Sequence, residues 1–401
     1  MNSLKAEVAV VGRGPAGLTT AIALATAGVE TVLVGPPPPW PDQRTTALLT
    51  GSVAALTALG VWARCRDQAA ALRIMRIVDD TARLLRAPEV SFDAAEIGLE
   101  AFGYNIENRH LLAALAGRAE ELPTLKQLAA NATMVEFGDD RVVIACSDGT
   151  AVTARLAIGA DGRRSVCRVA AGIETDHRAY PQVALVCNVA HSRPHRDTST
   201  EFHTQAGPFT LVPLPGRRSS LVWVTDPHEA SCLSELSDDG LSGEIERRSH
   251  SVLGKTAVEP GRSLFPLAIE TARRLATRRV LLVGEAAHVF PPIGAQGLNL
   301  GLRDAATVGE LVVEAHRDGR DVGGDDLTAR YEQTRRADVM ARTVAVDLLN
   351  RSLLTGFLPL QGARGLGLFL LDRIGPLRRA VMREGITPLA SQPRLMRGEV
   401  L

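Results

Sequence analysis

Gly12-Arg13-Gly14-Pro15-Ala16-Gly17 follows a short apolar run, EVAVV, and opens onto a stretch with the composition of a helix. Three glycines at this spacing suit one task, holding a pyrophosphate against main chain. The first makes the tight turn, the second lets backbone approach the phosphates, and the third lets helix and strand pack closely. The helix start adds unpaired N–H groups and the positive end of its dipole. Pro15 suits the first helical position, where its missing donor would be idle. Gly12, Gly14, Pro15, Ala16 and Gly17 are therefore predicted to surround a dinucleotide; the competing reading is a glycine-rich turn with no ligand. One part is missing. The acid that binds the ribose belongs ~20 residues on, at the end of the second strand. Gly35 stands there instead, Glu30 precedes that strand, and Asp42 follows four prolines. The ribose must be held otherwise or more weakly.

Two later clusters repeat the strand–loop–helix pattern. Ile158-Gly159-Ala160-Asp161-Gly162 ends one strand before SVCRVAAGI, and Val283-Gly284-Glu285-Ala286-Ala287-His288 ends another before PPIGAQGLNLGLRDA. Glycines 294, 297 and 301 let main chain approach a flat ligand, and the helix start can aim N–H donors at a carbonyl that collects negative charge.

The elements that position these clusters follow from periodicity. Residues 6–11 read as a buried strand, Pro15–Ala27 as a helix and Thr31–Val34 as a second strand, after which GPPPPWP forbids regular structure. Thr50–Leu59 reads as a helix ended by Gly60, residues 72–100 as strands, and Asn108–Leu122 as a helix. Residues 124–161 suggest a small antiparallel meander, and 177–265 further strands with one polar helical piece near 238–254. A long helix starts at Gln296, and everything after about 328 looks helical.

The predicted fold class is α/β: a Rossmann-like nucleotide domain interrupted by an antiparallel-sheet domain, with a helical C-terminal tail. The division is 1–75, 101–176 and 266–345 for the nucleotide domain, 76–100 for probable substrate-domain strands, 177–265 for the substrate-binding sheet, and 346–401 for the tail.

Composition excludes several classes. Forty-five basic residues balance 45 acidic ones among 401, which gives nucleic acid binding no support. Five scattered cysteines without a CxxC pair argue against a disulfide framework or a zinc site and fit a reducing cytoplasm. No apolar run reaches the ~18–20 residues of a membrane span.

In order and spacing, GRGPAG, GADG and GEAAHVFPPIGAQGLNLGLRDA resemble the signature of single-component FAD aromatic hydroxylases with the para-hydroxybenzoate-hydroxylase-like fold. DQRTTALLTGSVAALTALGVW, YNIENRHLLAAL and GPFTLVPLPGRRSSLVWV are similar to the ubiquinone-biosynthesis branch, and the likeness runs from about residue 6 to about 345. The resemblance implies that Arg44 and Arg109 lie near the phosphates or flavin, and that Asp161 serves both FAD and reduced nicotinamide. Gly284 and Glu285 would hold the ribityl chain, Glu standing where the family usually has Asp. Gly294, Gln296, Gly297, Leu298 and Asn299 would line the isoalloxazine. Pro291, Pro292 and Gly294 would flank the face where flavin meets substrate; no catalytic residue is assigned, and no metal.

It further implies that NADH or NADPH, bound transiently, reduces FAD, which reacts with O₂ to a C4a-hydroperoxide that hydroxylates a polyprenylated phenol ring. Other readings stay open: a different flavin monooxygenase or halogenase, or a non-catalytic FAD-bound subunit of a quinone-biosynthesis complex. Arg44 could be an exposed loop arginine, Arg109 a helix-face cap, Asp161 a turn residue, and His288 a general base or a structural hydrogen-bonder. The tail, with Arg351, Arg364, Arg373, Arg378, Arg379 and Arg383 among apolar clusters, either packs on the flavin domain or a partner subunit, or docks peripherally on the inner membrane or a quinone-synthesis complex.

Overall fold

The computed structural model describes residues 3–37, 44–81, 88–292, 294–354, 367, 370, 373–386 and 392–401. Val8–Val11, fully buried and four residues long, forms the middle of a six-stranded sheet. Its neighbours are Leu156–Gly159 on one side and Thr31–Val34 on the other, both parallel. Val280–Leu282 adds in parallel beyond Leu156–Gly159, and Ala276–Thr277 closes that edge antiparallel. Strands buried on both faces read as continuous Val, Ile, Leu and Ala runs because helices cover both sides. The helix Pro15–Thr26 packs on the sheet and against the long helix Gln296–Arg317 through small residues: a β-carbon at Gly309 would meet Ala23 Cβ at 3.3 Å.

Leu125–Leu128 corrects the expected meander. It joins the six-stranded sheet parallel to Thr31–Val34, after the helix Asn108–Glu120 carries the chain back. Only Ala132–Phe137, Val142–Cys146 and Ala151–Ala154 form the antiparallel meander, with Ser3–Lys5 added in parallel at its edge. Nothing in the short run LKQL names its partner, because a long-range pairing leaves no local trace.

The nine-stranded sheet is built mainly from Thr175–His191, Thr198–His203, Pro208–Leu214, Arg218–Thr225 and Ser263–Ala272, and Ile74–Asp79 and Val90–Asp93 extend it. Its side chains alternate. Leu185, Cys187, Val189, Leu221 and Trp223 face a core shared with Leu233, Leu241 and Ile245, whereas Ala184, Val186, Val222 and Val224 face the other way. The covering helices are two, Pro227–Glu235 and Asp238–Arg248, in place of the single expected piece. Asp226 and Ser237 each cap one start by accepting from main-chain N–H groups, so the chain breaks and restarts between them.

Asp325–Leu354 and Gly375–Ile386 are helical; Trp40, Asp42, Ile293, Arg364 and most of the expected tail between 355 and 372 lie outside the described residues. All five cysteines are free thiols.

Candidate functional site

The three glycine clusters leave the sheet at one edge. Val11 lies opposite Gly159, and Gly159 opposite Leu282, so the loops that follow emerge side by side from adjacent parallel strands. Crevices outside the carboxyl ends of such strands are where open α/β sheets bind ligands.

Each glycine of the first cluster meets a different demand. A β-carbon at Gly12 (φ +113) would lie 2.1 Å from Ala160 O, and one at Gly17 would lie 2.0 Å from Gly12 O. Gly12 thus lets the first and second loops touch, and Gly17 lets the helix press onto the turn. Nothing lies within 4 Å of the β-carbon position at Gly14, which faces open space. Gly14 is also the N-cap of Pro15–Thr26 and makes no side-chain cap bond, so the first N–H groups stay available. A cavity of about 440 Å³ runs from this turn past Gly35 and Pro36 to Asn131, Asp161 and Arg164. A helix start with free donors, an unobstructed glycine and a groove of this size fit the pyrophosphate and adenosine of a dinucleotide.

Asp161 is turned inward. Its carboxylate accepts from Ser165 Oγ, from Val166 N at 2.7 Å and from Cys167 N at 3.2 Å, capping the short helix Val166–Ala170. Arg168, buried, donates to Ala286 O at 2.9 Å and to Arg163 O at 2.6 Å, and so ties the second loop to the third. Ala16 touches the third loop: a β-carbon at Gly284 (φ +61) would sit 3.1 Å from Ala16 Cβ. Glu285 is exposed on the turn Gly284–Ala286, its carboxylate 3.8 Å from Arg163 Nε.

Beneath that turn lies a buried ionic bracket. His288 Nε2 is 2.6 Å from Asp304 Oδ2, which also accepts from Gly284 N at 3.0 Å; Asp304 Oδ1 accepts from Arg335 Nε at 2.7 Å. Arg335 and Arg303 share Asp338, at 2.8 and 2.9 Å. Burial pushes the Asp304 carboxyl up, but His288 and Arg335 outweigh it and hold it below the ordinary value. Burial likewise opposes Asp338, and Arg335 and Arg303 bring it down to about 2. His288 is therefore buried and held in this bracket, the setting of a structural hydrogen-bonder.

The start of the long helix is bent into the left-handed region, with Gly294 at φ +65 and the non-glycine Ala295 at φ +55. Strain of this kind on a side-chain-bearing residue is usually kept for a purpose. Gly297 is open, Leu298 is half-buried, Pro292 is exposed, and Gln296 bridges Gly294 O and Arg342. Asn299 is spent on protein: it accepts from Leu49 N and Ser52 Oγ and donates to Ala47 O and Ala295 O. It brackets the loop to the strand Thr45–Leu49.

Arg44 and Arg109 meet the large sheet. Arg44 stacks its guanidinium 5.8 Å from the ring of Phe265, which pairs with Ala184 and so shares the sheet face turned away from the helices. Arg109 Nη2 donates to Glu107 at 2.9 Å. Glu107, buried, also accepts from Asn188 at 3.2 Å and from Arg218 at 3.4 Å, both on that same face. Burial raises the Glu107 carboxyl; bonds from Arg109 and Arg218 overcome this and lower it. Asn105 adds bonds to Pro213 O and Ser220 Oγ. The face carrying Ala184, Val186, Val222, Val224 and Leu267 is thus stitched to Arg44, Asn105 and Glu107, at and beside the paired strands Thr45–Leu49 and Gly103–Glu107.

Arg168, Asp304, Arg335 and Glu107 were not singled out by the sequence. The only trace of Arg168 and Asp304 was a charged residue inside an otherwise apolar pattern, and Arg335, in the polar stretch YEQTRRAD, left none. Among the described residues, no cluster of His, Cys, Asp or Glu could hold a metal ion, and no helix is long and apolar enough to cross a membrane.

Fold and groove together define a dinucleotide-binding α/β protein with an appended antiparallel wall. Residues 5–346 match the family described as FAD binding domain, and the chain belongs to that family. It is similar to ubiquinone hydroxylase UbiL of Rhodospirillum rubrum, 37% identical over 98% of this chain and 93% of that one. It is also similar to 3-demethoxyubiquinol 3-hydroxylase of Escherichia coli, 30% identical over 96% and 99%. Among solved structures, p-nitrophenol 4-monooxygenase of Pseudomonas putida superposes with a TM-score of 0.79 at 19% identity, covering 98% of this chain and 100% of that one, a likeness of fold.

Proposed function

We propose that the protein is an FAD-dependent monooxygenase that hydroxylates the ring of a polyprenylated phenol in ubiquinone biosynthesis, with NADH or NADPH as transient reductant and O₂ as oxidant. One observation carries the reading: three glycine loops leave adjacent parallel strands side by side, in a chain similar over nearly its whole length to hydroxylases named for ubiquinone. Bound FAD supplies the redox and oxygen-transfer chemistry. Gly12, Gly14, Pro15, Ala16 and Gly17 hold its pyrophosphate, Gly284 and Glu285 its ribityl chain, and Gly294, Gln296, Gly297 and Leu298 the edge of its ring. Asn299 and Asp304 keep those loops in place, while Arg44 against Phe265 and Arg109 through Glu107 brace the large sheet. Val186, Val222, Val224 and Phe265 exclude water from the reacting ring.

In this reading 177–265 with 76–100 serves substrate and the rest of 1–345 serves the nucleotide, with the large sheet itself reaching out to Ile74, Thr175 and Ala272. Met340, Val344 and Leu348 are exposed one turn apart on Asp325–Leu354, and Leu377 and Val381 are exposed on Gly375–Ile386 beside Arg379 and Arg383. These faces dock the protein peripherally on an anionic membrane, where a prenylated phenol resides.

The test is phenol-dependent NAD(P)H oxidation by the purified flavoprotein, with a product heavier by one oxygen in mass spectrometry. Accumulation of an under-hydroxylated quinone precursor in a deletion strain is expected beside it. Phenol-independent oxidation and an unchanged quinone pool would sink the assignment.

A further inference from the structure

The nucleotide groove lacks the usual acid for the adenosine ribose, and its geometry explains why. Gly35 ends the strand Thr31–Val34 with φ +151, which favours glycine. A β-carbon there would lie 3.1 Å from Arg13 Cγ and 3.3 Å from Arg13 N, so a side chain at 35 would crowd Arg13 in its present place. Arg13 runs over the bare glycine and donates from Nη2 to Gln127 Oε1 at 2.5 Å, on the strand one beyond. Its buried Nε has no hydrogen-bond partner among the described residues. Arg13 lines the same cavity as Gly14, Gly35, Asn131 and Arg164. The one acid among the described lining residues, Asp161, has both carboxylate oxygens committed to Ser165 and the helix start behind it.

We propose that Arg13, oriented by Gln127, takes the adenosine ribose of FAD in place of a carboxylate, which makes this end of the groove cationic. The inference rests on the FAD reading above. A guanidinium donates to the ribose oxygens and accepts nothing, so acceptance from the hydroxyls falls to an amide oxygen lining the groove, that of Asn131. A carboxylate at this place repels a 2′-phosphate, whereas a guanidinium pairs with one through two parallel bonds. The subsite therefore tolerates adenylates bearing a 2′-phosphate.

The experiment uses the purified flavin-loaded protein and follows FAD release by flavin fluorescence, with ADP or adenosine 2′,5′-bisphosphate as competitor. In the parent, the bisphosphate displaces FAD better than ADP does. Arg13→Ala weakens FAD retention about tenfold to a hundredfold and removes the bisphosphate's advantage. Arg13→Lys, which keeps the charge, restores part of both, and Asp42→Asn changes neither. Three results overturn the proposal: ADP outcompeting the bisphosphate about tenfold or more, Arg13→Ala and Arg13→Gln releasing FAD like the parent, or Asp42→Asn weakening FAD as the alanine variant should. A parent that purifies folded without flavin fails the FAD reading itself, and with it this inference.

Discussion

The two sheets that meet at the site present opposite kinds of surface. At the edge of the six-stranded sheet the main chain is the surface: glycines at 12, 14 and 17 either admit backbone contact or leave space for a ligand. On the nine-stranded sheet the surface is a row of alternate side chains, Ala184 and Val186 across from Val224 and Val222. A ligand gripped by backbone imposes steric demands on single positions. One covered by side chains spreads its energy over many, none indispensable. Substitutions at the first should act all-or-none, and at the second by degrees.

The sharpest break comes within the first cluster. Gly17→Val should prevent folding, because its β-carbon would fall 2.0 Å from Gly12 O. Gly14→Val should fold with a near-parental denaturant midpoint and retain no flavin, because its side chain fills only open space in the groove. Midpoint and flavin-to-protein ratio, measured together, separate the two. A folded Gly14→Val protein with stoichiometric FAD places the pyrophosphate elsewhere.

That contrast also explains what the sequence could reveal. The glycine loops were legible because each requirement, whether the turn itself or a close approach as of Gly12 to Ala160, has one residue type as its answer. The strands of the wall were legible as strands, yet nothing in QVALVCNV says that its even-numbered residues face Arg44 and Glu107. The His288–Asp304–Arg335 bracket joins residues 16 and 31 apart and needs the fold to assemble it. Leu125–Leu128 was misassigned for the same reason: its partner lies far back in the chain. Asn299 fell in a legible motif, but its four bonds to protein are a matter of tertiary placement.

The bracket supplies the next largest effect. Arg335→Met leaves the buried Asp304 carboxylate without its guanidinium partner, and breaking one partner from a buried pair costs about 3–5 kcal/mol. Chemical denaturation should register that loss, with FAD retention falling as the Gly284 turn loosens. A loss below about 1 kcal/mol would show that Asp304 is held by His288 and Gly284 alone.

Glu285 should behave differently, because it is exposed and belongs to no bracket. Glu285→Ala is expected to weaken FAD about tenfold to a hundredfold, one charge-assisted bond, without moving the denaturant midpoint. Glu285→Asp should stay close to the parent. Alanine binding FAD as well as the parent would reduce Glu285 to a strand-end residue.

Acid probes the bracket more gently. Asp338 sits at about 2, below its ordinary value of 3.8, so its contribution is fully present above about pH 4 and lost as pH falls toward 2. The stability difference between the parent and Asp338→Asn should be roughly 2 kcal/mol near neutrality and shrink through that window. A difference constant from pH 5 to 2 would mean that Asp338 titrates like a free carboxylate.

The smallest effects belong on the wall, and there smallness is the prediction. Val186 and Val222 are register partners, half-buried, on the face without helices. Truncating either to Ala removes apolar surface worth at most about 0.8 kcal/mol per methylene. Partial exposure trims that further, so each variant should raise KM for a prenylated phenol only a few-fold. Flavin content and phenol-independent NAD(P)H oxidation should stay parental, because neither valine touches the glycine loops. Uniform binding lost in this way leaves kcat unchanged, so the KM-against-kcat split is the measurement that counts. Should Val222→Ala alone abolish hydroxylation while flavin is retained, the wall would hold a keyed contact rather than a distributed one. The contrast between backbone grip and side-chain cover would then fail on the side where the sequence was silent.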